Sequence, residues 1–119
     1  MKTILLVEDE FGIADVLVTI LEDEGYRVFS AANGQQGLQR LAETKPDVVV
    51  TDFMMPLMDG AALGAAMRAD PDYVNIPIIM MSAVSEQSVR ARFDGYQAFL
   101  RKPFAVPAFL ELLARVLQH

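Results

Sequence analysis

The chain lacks cysteine, has no long apolar run and carries few positive charges for its size. Without cysteine it forms no disulfide and offers no thiolate as nucleophile or metal ligand, a composition that suits the cytoplasm. No stretch approaches the ~20 apolar residues of a membrane-spanning helix, and residues 1–3 lead directly into a strand-like segment. We therefore expect a cytoplasmic protein that does not insert into a membrane.

Acidic residues outnumber basic ones, with 16 Asp and Glu against 10 Lys and Arg and a net charge of −6. This charge repels a phosphate backbone, so we do not expect direct binding of nucleic acid. Hydrophobic residues make up 53% of the chain and charged residues 22%, which is the balance of a folded globular protein. A length of 119 residues suits a single domain with one core.

Strand-like and helix-like segments alternate along the chain. The strand-like runs are short and mostly apolar, and they lie at residues 3–8, 26–31, 47–52, 76–83 and 98–101. An apolar stripe at helical spacing predicts the first helix, with its core face formed by Ile13, Val16, Leu17, Ile20 and Leu21. Four more helices are predicted, one opening at Asn33-Gly34 and the others at residues 61–68, 86–93 and 106–117.

This alternation amounts to five β-α units. The runs at 47–52 and 76–81 are almost continuously apolar, as expected when helices cover both faces of a parallel sheet. Right-handed crossovers between parallel strands then produce a doubly wound, three-layer α/β sandwich.

Polar side chains stand where the predicted strands end: Glu8 and Asp9 after the first strand, Asp52 after the third, Ser82 after the fourth and Lys102 after the fifth. In a doubly wound sheet, ligands bind beyond the carboxyl ends of the strands, so these groups should meet at one edge. Three carboxylates brought together repel one another unless a cation joins them, and Mg²⁺ prefers such oxygen ligands. A metal beside a hydroxyl and an ammonium group indicates a phosphoryl ligand.

Four blocks of the sequence, "ILLVEDE", "PDVVVTDFMMPLMDG", "IPIIMMSA" and "FLRKPF", carry a family resemblance. In this order and near this spacing they resemble the receiver domain of bacterial two-component response regulators, such as the chemotaxis response regulator. The resemblance covers essentially the whole chain. It implies a flavodoxin-like fold with five parallel strands in the order 2-1-3-4-5 and five helices.

The resemblance also implies roles for the acidic residues. Asp52 would be the nucleophile that accepts the phosphoryl group. Asp9 would bind Mg²⁺ directly, Glu8 would assist through water, and the carboxylate of Asp52 and the backbone carbonyl of Met54 would complete the protein ligands. Mn²⁺, which takes the same kinds of ligand, would be an alternative ion.

Ser82 would hydrogen-bond the phosphoryl group and Lys102 would pair with it. Ser82 and Phe99 would form the switch, because movement of Ser82 toward the phosphoryl oxygens leaves space into which Phe99 can turn. Lys102-Pro103 occupies the place of a cis peptide in the family.

The function that the resemblance implies is signalling rather than enzymatic turnover. A histidine kinase or phosphotransfer protein would donate the phosphoryl group, and the domain would assist its own phosphorylation and dephosphorylation. The altered surface would then be recognised by a downstream protein. Residues 1–119 would form one receiver domain without an output domain, either alone or within a longer protein.

Two surfaces are predicted to bind partners. Phe11, Ala14 and Val18 are expected to form an outward apolar patch on the first helix, where a kinase or phosphotransfer domain would dock. On the last helix, apolar residues exceed one stripe, so Leu110 or Leu112 should contribute to self-association or to an output surface. The segment from residue 82 to 95 is about two residues shorter than usual in the family, which predicts a short or irregular fourth helix.

Three other classes compete with this interpretation. A haloacid-dehalogenase-type hydrolase would need a second aspartate at the position of Met54, and a flavodoxin-like FMN carrier would need a Ser/Thr-rich loop where Glu8-Asp9-Glu10 stands. The third is a degenerate receiver that binds proteins without phosphorylation. Such a domain would normally have lost part of the acidic and basic set that this chain retains.

Overall fold

The computed structural model describes residues 1–118, in which five strands and five helices alternate. The strands are β1 Thr3–Val7, β2 Arg27–Ala31, β3 Val48–Asp52, β4 Ile78–Ser82 and β5 Ala98–Arg101. The helices are α1 Phe11–Asp23, α2 Gly34–Thr44, α3 Gly60–Ala69, α4 Glu86–Arg90 and α5 Val106–Leu117. All strand pairs are parallel, and the strand order is β2-β1-β3-β4-β5, which confirms the predicted fold.

Strands β3 and β4 are buried at every position, because helices cover both faces of the sheet. Side chains alternate between the faces along each strand. Val48 and Val50 of β3 enter an apolar cluster shared with α1 and α5, whereas Val49 enters a second cluster shared with α2, α3 and α4. This packing fixes which residue of each strand reaches the carboxyl edge.

Three helices begin at a side-chain cap. The side-chain oxygens of Asn33, Asp59 and Ser85 accept backbone N–H groups from the first turns of α2, α3 and α4, at 2.9, 2.9 and 3.2 Å. Beyond the end of α1, Gly25 adopts a φ of 92°, a conformation that favours glycine. Local sequence signals therefore mark the starts of α2, α3 and α4 and the end of α1.

The predicted core face of α1 is right at Leu17 and Leu21 and wrong at Ile13 and Val16, while Ile20 is half-buried. The buried residues are Ala14, Leu17 and Leu21, with Val18 packed at their edge. Ile13 and Val16, which were expected inside, are 38% and 58% exposed. Apolar residues occupy more than one side of this helix, so periodicity alone allows two orientations, and packing against the sheet selects between them.

The last two helices test two further predictions. α4 ends at Arg90 rather than at residue 93, which confirms that this helix is short. α5 spans the predicted residues, and Leu110 and Leu112 are half-buried against the cluster that contains Leu113. Self-association through α5 stays a prediction. None of the helices in the described part of the chain is long and apolar enough to cross a membrane.

Candidate functional site

The carboxyl edge of the sheet holds a small cleft between the ends of β1, β3, β4 and β5. Asp52 is the last residue of β3, which lies between β1 and β4, so its neighbours arrive from both sides. The cleft has a volume of about 220 Å³ and is lined by Asp9, Glu10, Asp52, Met54, Ser82, Ala83 and Lys102. Other surface pockets of the described residues are larger, at about 280, 320, 440 and 470 Å³, but Asp52 lines none of these four.

Three carboxylates meet beside this cleft. Glu8, Asp9 and Asp52 each offer an oxygen, and these oxygens lie within 4.8 Å of one another. Glu8 is only 2% exposed and Asp52 8%, so water screens their charges poorly. The cluster is therefore suited to a hard divalent cation with oxygen ligands, and the geometry predicted for these three residues is confirmed.

Lys102 lies between two of the carboxylates. Its Nζ atom donates to Oε1 of Glu8 at 2.9 Å and to Oδ2 of Asp52 at 3.1 Å. Burial acts to lower the pKa of Lys102, but the hydrogen bonds and negative charges of Glu8 and Asp52 outweigh it and raise this pKa. Lys102 is thus a fixed positive charge next to Asp52.

The carboxylate of Asp52 has a second donor on its other oxygen, since the backbone N–H of Phe53 reaches Oδ1 at 3.0 Å. Burial, followed by the charge of Glu8, raises the pKa of Asp52 to about 6, against the lowering effects of Lys102 and of the Phe53 N–H. This carboxylate is held at both oxygens and is costly to ionise, so a nearby cation would favour its charged form.

Ser82 also faces the cleft, as predicted. It is 1% exposed, and its Oγ accepts the backbone N–H of Val84 at 3.1 Å, which leaves the hydroxyl hydrogen able to donate. The Lys102–Pro103 peptide is cis, as the resemblance implies. Phe99 is half-buried in the α2–α3–α4 cluster, with the ring of Tyr96 at 6.1 Å between centroids.

Met54 lies at the mouth of the cleft with 65% of its surface exposed. Its apolar side chain therefore stands at the entrance to Asp52. Val84, two residues after Ser82, is less exposed than Met54 and is half-buried against the α2–α3–α4 cluster.

The predicted outward patch of Phe11, Ala14 and Val18 is wrong in two of its three residues. Phe11 is 78% exposed, but Ala14 is buried and Val18 is half-buried, because both pack against the sheet. The exposed apolar residues in the middle of α1 are Ile13 and Val16.

Three residues that support the site were missed from the sequence. The hydroxyl of Thr51 donates to the backbone carbonyl of Asp52 at 2.9 Å, Phe53 supplies the N–H described above, and Gly60 packs so closely that a Cβ there would overlap the Asp52 carbonyl oxygen. All three lie within the block from residue 46 to 60 that carries the resemblance. Phe53 and Gly60 gave no chemical signal, since one acts through its backbone N–H and the other through its small size, and the Thr51 hydroxyl lies inside an apolar strand-like run.

Comparison with known proteins gives a consistent family. The family model described as the response regulator receiver domain matches residues 4–114. The phosphate regulon transcriptional regulatory protein PhoB of Pseudomonas aeruginosa is 34% identical over 99% of this chain and 52% of that protein. The chain spans about half the length of the first curated relatives it matches.

Solved structures agree with this. The signal receiver domain of a histidine kinase from Syntrophus aciditrophicus superposes with a TM-score of 0.92 at 33% identity, over 99% of this chain and 91% of that one. The receiver domain of a sensor histidine kinase from Pseudomonas aeruginosa has a TM-score of 0.91 at 29% identity, over 99% and 98% of the two chains. That structure has a magnesium ion coordinated in its active site cleft.

Proposed function

Because this chain belongs to the response regulator receiver domain family, we propose that it accepts a phosphoryl group on Asp52 and signals by the resulting change in its surface. One observation carries the proposal. Asp52 is buried at the end of β3, with Lys102 at 3.1 Å and with two further carboxylates close enough to share a cation. Such a set of groups balances the charge of a phosphoryl group at a carboxylate nucleophile.

In the proposed step, a carboxylate oxygen of Asp52 forms a bond to phosphorus while the bond from phosphorus to the donor breaks. With a phosphohistidine donor that bond is P–N, and the imidazole nitrogen keeps its electron pair. The product is a mixed anhydride. Because an aspartate is a weak nucleophile, the chain contributes positioning and charge: the Phe53 N–H orients Asp52, and Lys102 and Ser82 stand beside the incoming oxygens.

Mg²⁺ is the proposed cofactor, and Mn²⁺ suits the same oxygen ligands. The carboxylates of Asp9 and Asp52 and the backbone carbonyl of Met54 would hold it, with Glu8 assisting. When bound, the ion supplies positive charge that offsets both the clustered carboxylates and the oxygens of the phosphoryl group. The acidic cleft and the magnesium site of the related receiver domain support this assignment.

We propose that a histidine kinase or phosphotransfer protein donates the phosphoryl group. A downstream protein in the cytoplasm would then recognise the phosphorylated domain. Ser82 and Phe99 would form the switch, since Ser82 lies at the cleft and Phe99 lies in the apolar cluster beneath α4. The net charge of −6 favours protein partners over direct contact with nucleic acid. The domain would act as a signalling module and not as a turnover enzyme.

Beryllofluoride, which mimics a phosphoryl group on aspartate, tests this function without covalent chemistry. Adding it with Mg²⁺ should raise the melting temperature of the parent and shift the amide NMR signals of Asp52, Ser82 and Lys102. Asp52→Asn should remove both effects. No change in the parent would overturn the proposal and favour a module that binds its partners without phosphorylation.

A further inference from the structure

Arg92 joins the segment after α4 to the loop that follows Asp52. Its Nη1 atom lies 2.9 Å from Oδ2 of Asp59, and its guanidinium carbon lies 5.5 Å from the centre of the Phe53 ring. The Arg92 side chain is 57% exposed and that of Asp59 22%. Arg92 lies outside the loop over residues 53–59 but contacts both of its ends, Phe53 and Asp59.

Both of its partners hold backbone near the phosphoryl acceptor. The N–H of Phe53 donates to Oδ1 of Asp52 at 3.0 Å and to the carbonyl of Met81 at 2.8 Å, and its own carbonyl accepts the N–H of Gly60 at 2.8 Å. The position of Phe53 thus fixes both the donor on Asp52 and the start of α3. Asp59 caps that same helix through its other oxygen, which accepts the N–H of Ala62 at 2.9 Å.

We propose that Arg92 is a positioning residue for phosphoryl acceptance, because it holds the two ends of the loop over residues 53–59 in register. With the loop held, the Phe53 N–H stays on Asp52 and Met54 stays at the cleft. The reaction that Arg92 supports is the one proposed above, so this inference rests on that function.

If Arg92 only stabilised the fold in general, its loss would lower the free energy of unfolding of the whole domain. Half-exposed ion pairs contribute little to the free energy of unfolding, so loss of Arg92 should act locally and not on the whole domain. The chain offers a matched control in Arg40, which lies 3.9 Å from Glu43 and 5.5 Å from the Phe29 ring centre. Arg40 makes the same two kinds of contact, but its partners Glu43 and Phe29 lie outside the loop over residues 53–59.

The test compares Arg92→Ala, Asp59→Asn, their double variant and Arg40→Ala in the full chain. Asp59→Asn keeps a side-chain oxygen for the α3 cap and removes only the charge that faces Arg92. The measurements are amide hydrogen exchange in metal-free protein, Mg²⁺ affinity by calorimetry, and the rate of labelling by acetyl phosphate as a function of Mg²⁺ concentration.

We expect Arg92→Ala and Asp59→Asn each to speed exchange of the Phe53 and Gly60 amides, and to weaken Mg²⁺ binding, by about threefold. The double variant should be no worse than Arg92→Ala, because both changes break the same contact. Labelling should slow at low Mg²⁺ and recover at saturating Mg²⁺, and Arg92→Lys should restore part of the loss.

Loop exchange and Mg²⁺ affinity in Arg92→Ala that match Arg40→Ala would overturn the proposal, as would faster exchange spread evenly over the sheet. Failure of the proposed function would be seen separately. A parent that takes no label from acetyl phosphate contradicts phosphorylation at Asp52, whereas exchange and Mg²⁺ binding still decide whether Arg92 holds the loop.

Discussion

At the scale of single residues, the fold places Asp52 where an ionised carboxylate lowers the free energy of unfolding. The side chain is 8% exposed and lies in a group of three carboxylates, and only Lys102 and the Phe53 N–H offset its charge. A residue chosen for stability at this position would be apolar or neutral. The cost is understandable if the site is built for a cation and a phosphoryl group, which complete its charge balance.

Replacing Asp52 by asparagine should therefore stabilise the metal-free protein at neutral pH. The pKa of Asp52 is raised from 3.8 to about 6, chiefly by burial and then by Glu8, so the folded state holds the proton more tightly than the unfolded state. Ionisation then lowers the free energy of unfolding as the pH rises from 3.8 through about 6, by an amount on the order of 3 kcal/mol.

Urea unfolding in the presence of a chelator measures this effect. Asp52→Asn should unfold at a higher urea concentration than the parent at pH 7, and the difference should shrink toward pH 4, where the parent carboxyl is protonated. A variant that is less stable than the parent at pH 7 would show that the cluster is not repulsive.

Met54 is predicted to set the lifetime of the phosphorylated state. Its exposed side chain stands at the mouth of the cleft and offers no strong hydrogen bond to orient a hydrolytic water. Met54→Asn should speed loss of the phosphoryl group at least about threefold, which corresponds to ~0.65 kcal/mol in the barrier. Decay of labelled protein after removal of the donor, at fixed Mg²⁺, provides the measurement. Unchanged or slower decay in both Met54→Asn and Met54→Glu would contradict apolar shielding.

The polar residues of the site could be predicted because each follows an apolar strand, and parallel strands bring their carboxyl ends together. Glu8, Asp9, Asp52, Ser82 and Lys102 were identified in this way, and the structure gathers them. This reasoning could not identify Phe53 or Arg92. Phe53 acts through its backbone, and Arg92 lies in an irregular segment whose path depends on tertiary packing.

At the scale of elements, α1 shows where periodicity fails. Its apolar residues are numerous enough to suggest two buried faces, and only contact with the sheet selects Ala14, Leu17 and Leu21. That selection leaves Ile13 and Val16 exposed in the first half of α1, the helix that follows the carboxyl end of β1. An exposed apolar strip of this kind suits a helical surface of a phosphoryl donor.

We therefore predict that Val16→Glu slows phosphoryl transfer from the cognate kinase by about tenfold while leaving labelling by acetyl phosphate unchanged. Val18→Glu serves as the contrast. Val18 packs against the core, so a buried charge there should lower the melting temperature and slow both donors. Equal slowing with both donors in a stably folded Val16→Glu variant would contradict a docking role for this face.

At the scale of the whole molecule, stability and function share one set of charges. The chain carries a net charge of −6, and three of its carboxylates are concentrated at one edge of the sheet. Binding of Mg²⁺ at this edge should stabilise the whole domain by RT ln(1 + [L]/Kd), about 1.4 kcal/mol at ten times Kd. Thermal unfolding with and without Mg²⁺ checks this, and Asp9→Asn should lose most of the gain. An unchanged melting temperature of the parent on addition of Mg²⁺ would argue against the metal site.

The central claim is that Asp52 accepts a phosphoryl group. Its most direct test is the intact mass of the protein after incubation with acetyl phosphate, with and without Mg²⁺, for the parent and for Asp52→Asn. We predict that the parent gains the mass of one phosphoryl group only when Mg²⁺ is present, and that Asp52→Asn gains none. An unmodified parent, or a modification that survives in Asp52→Asn, would contradict the claim.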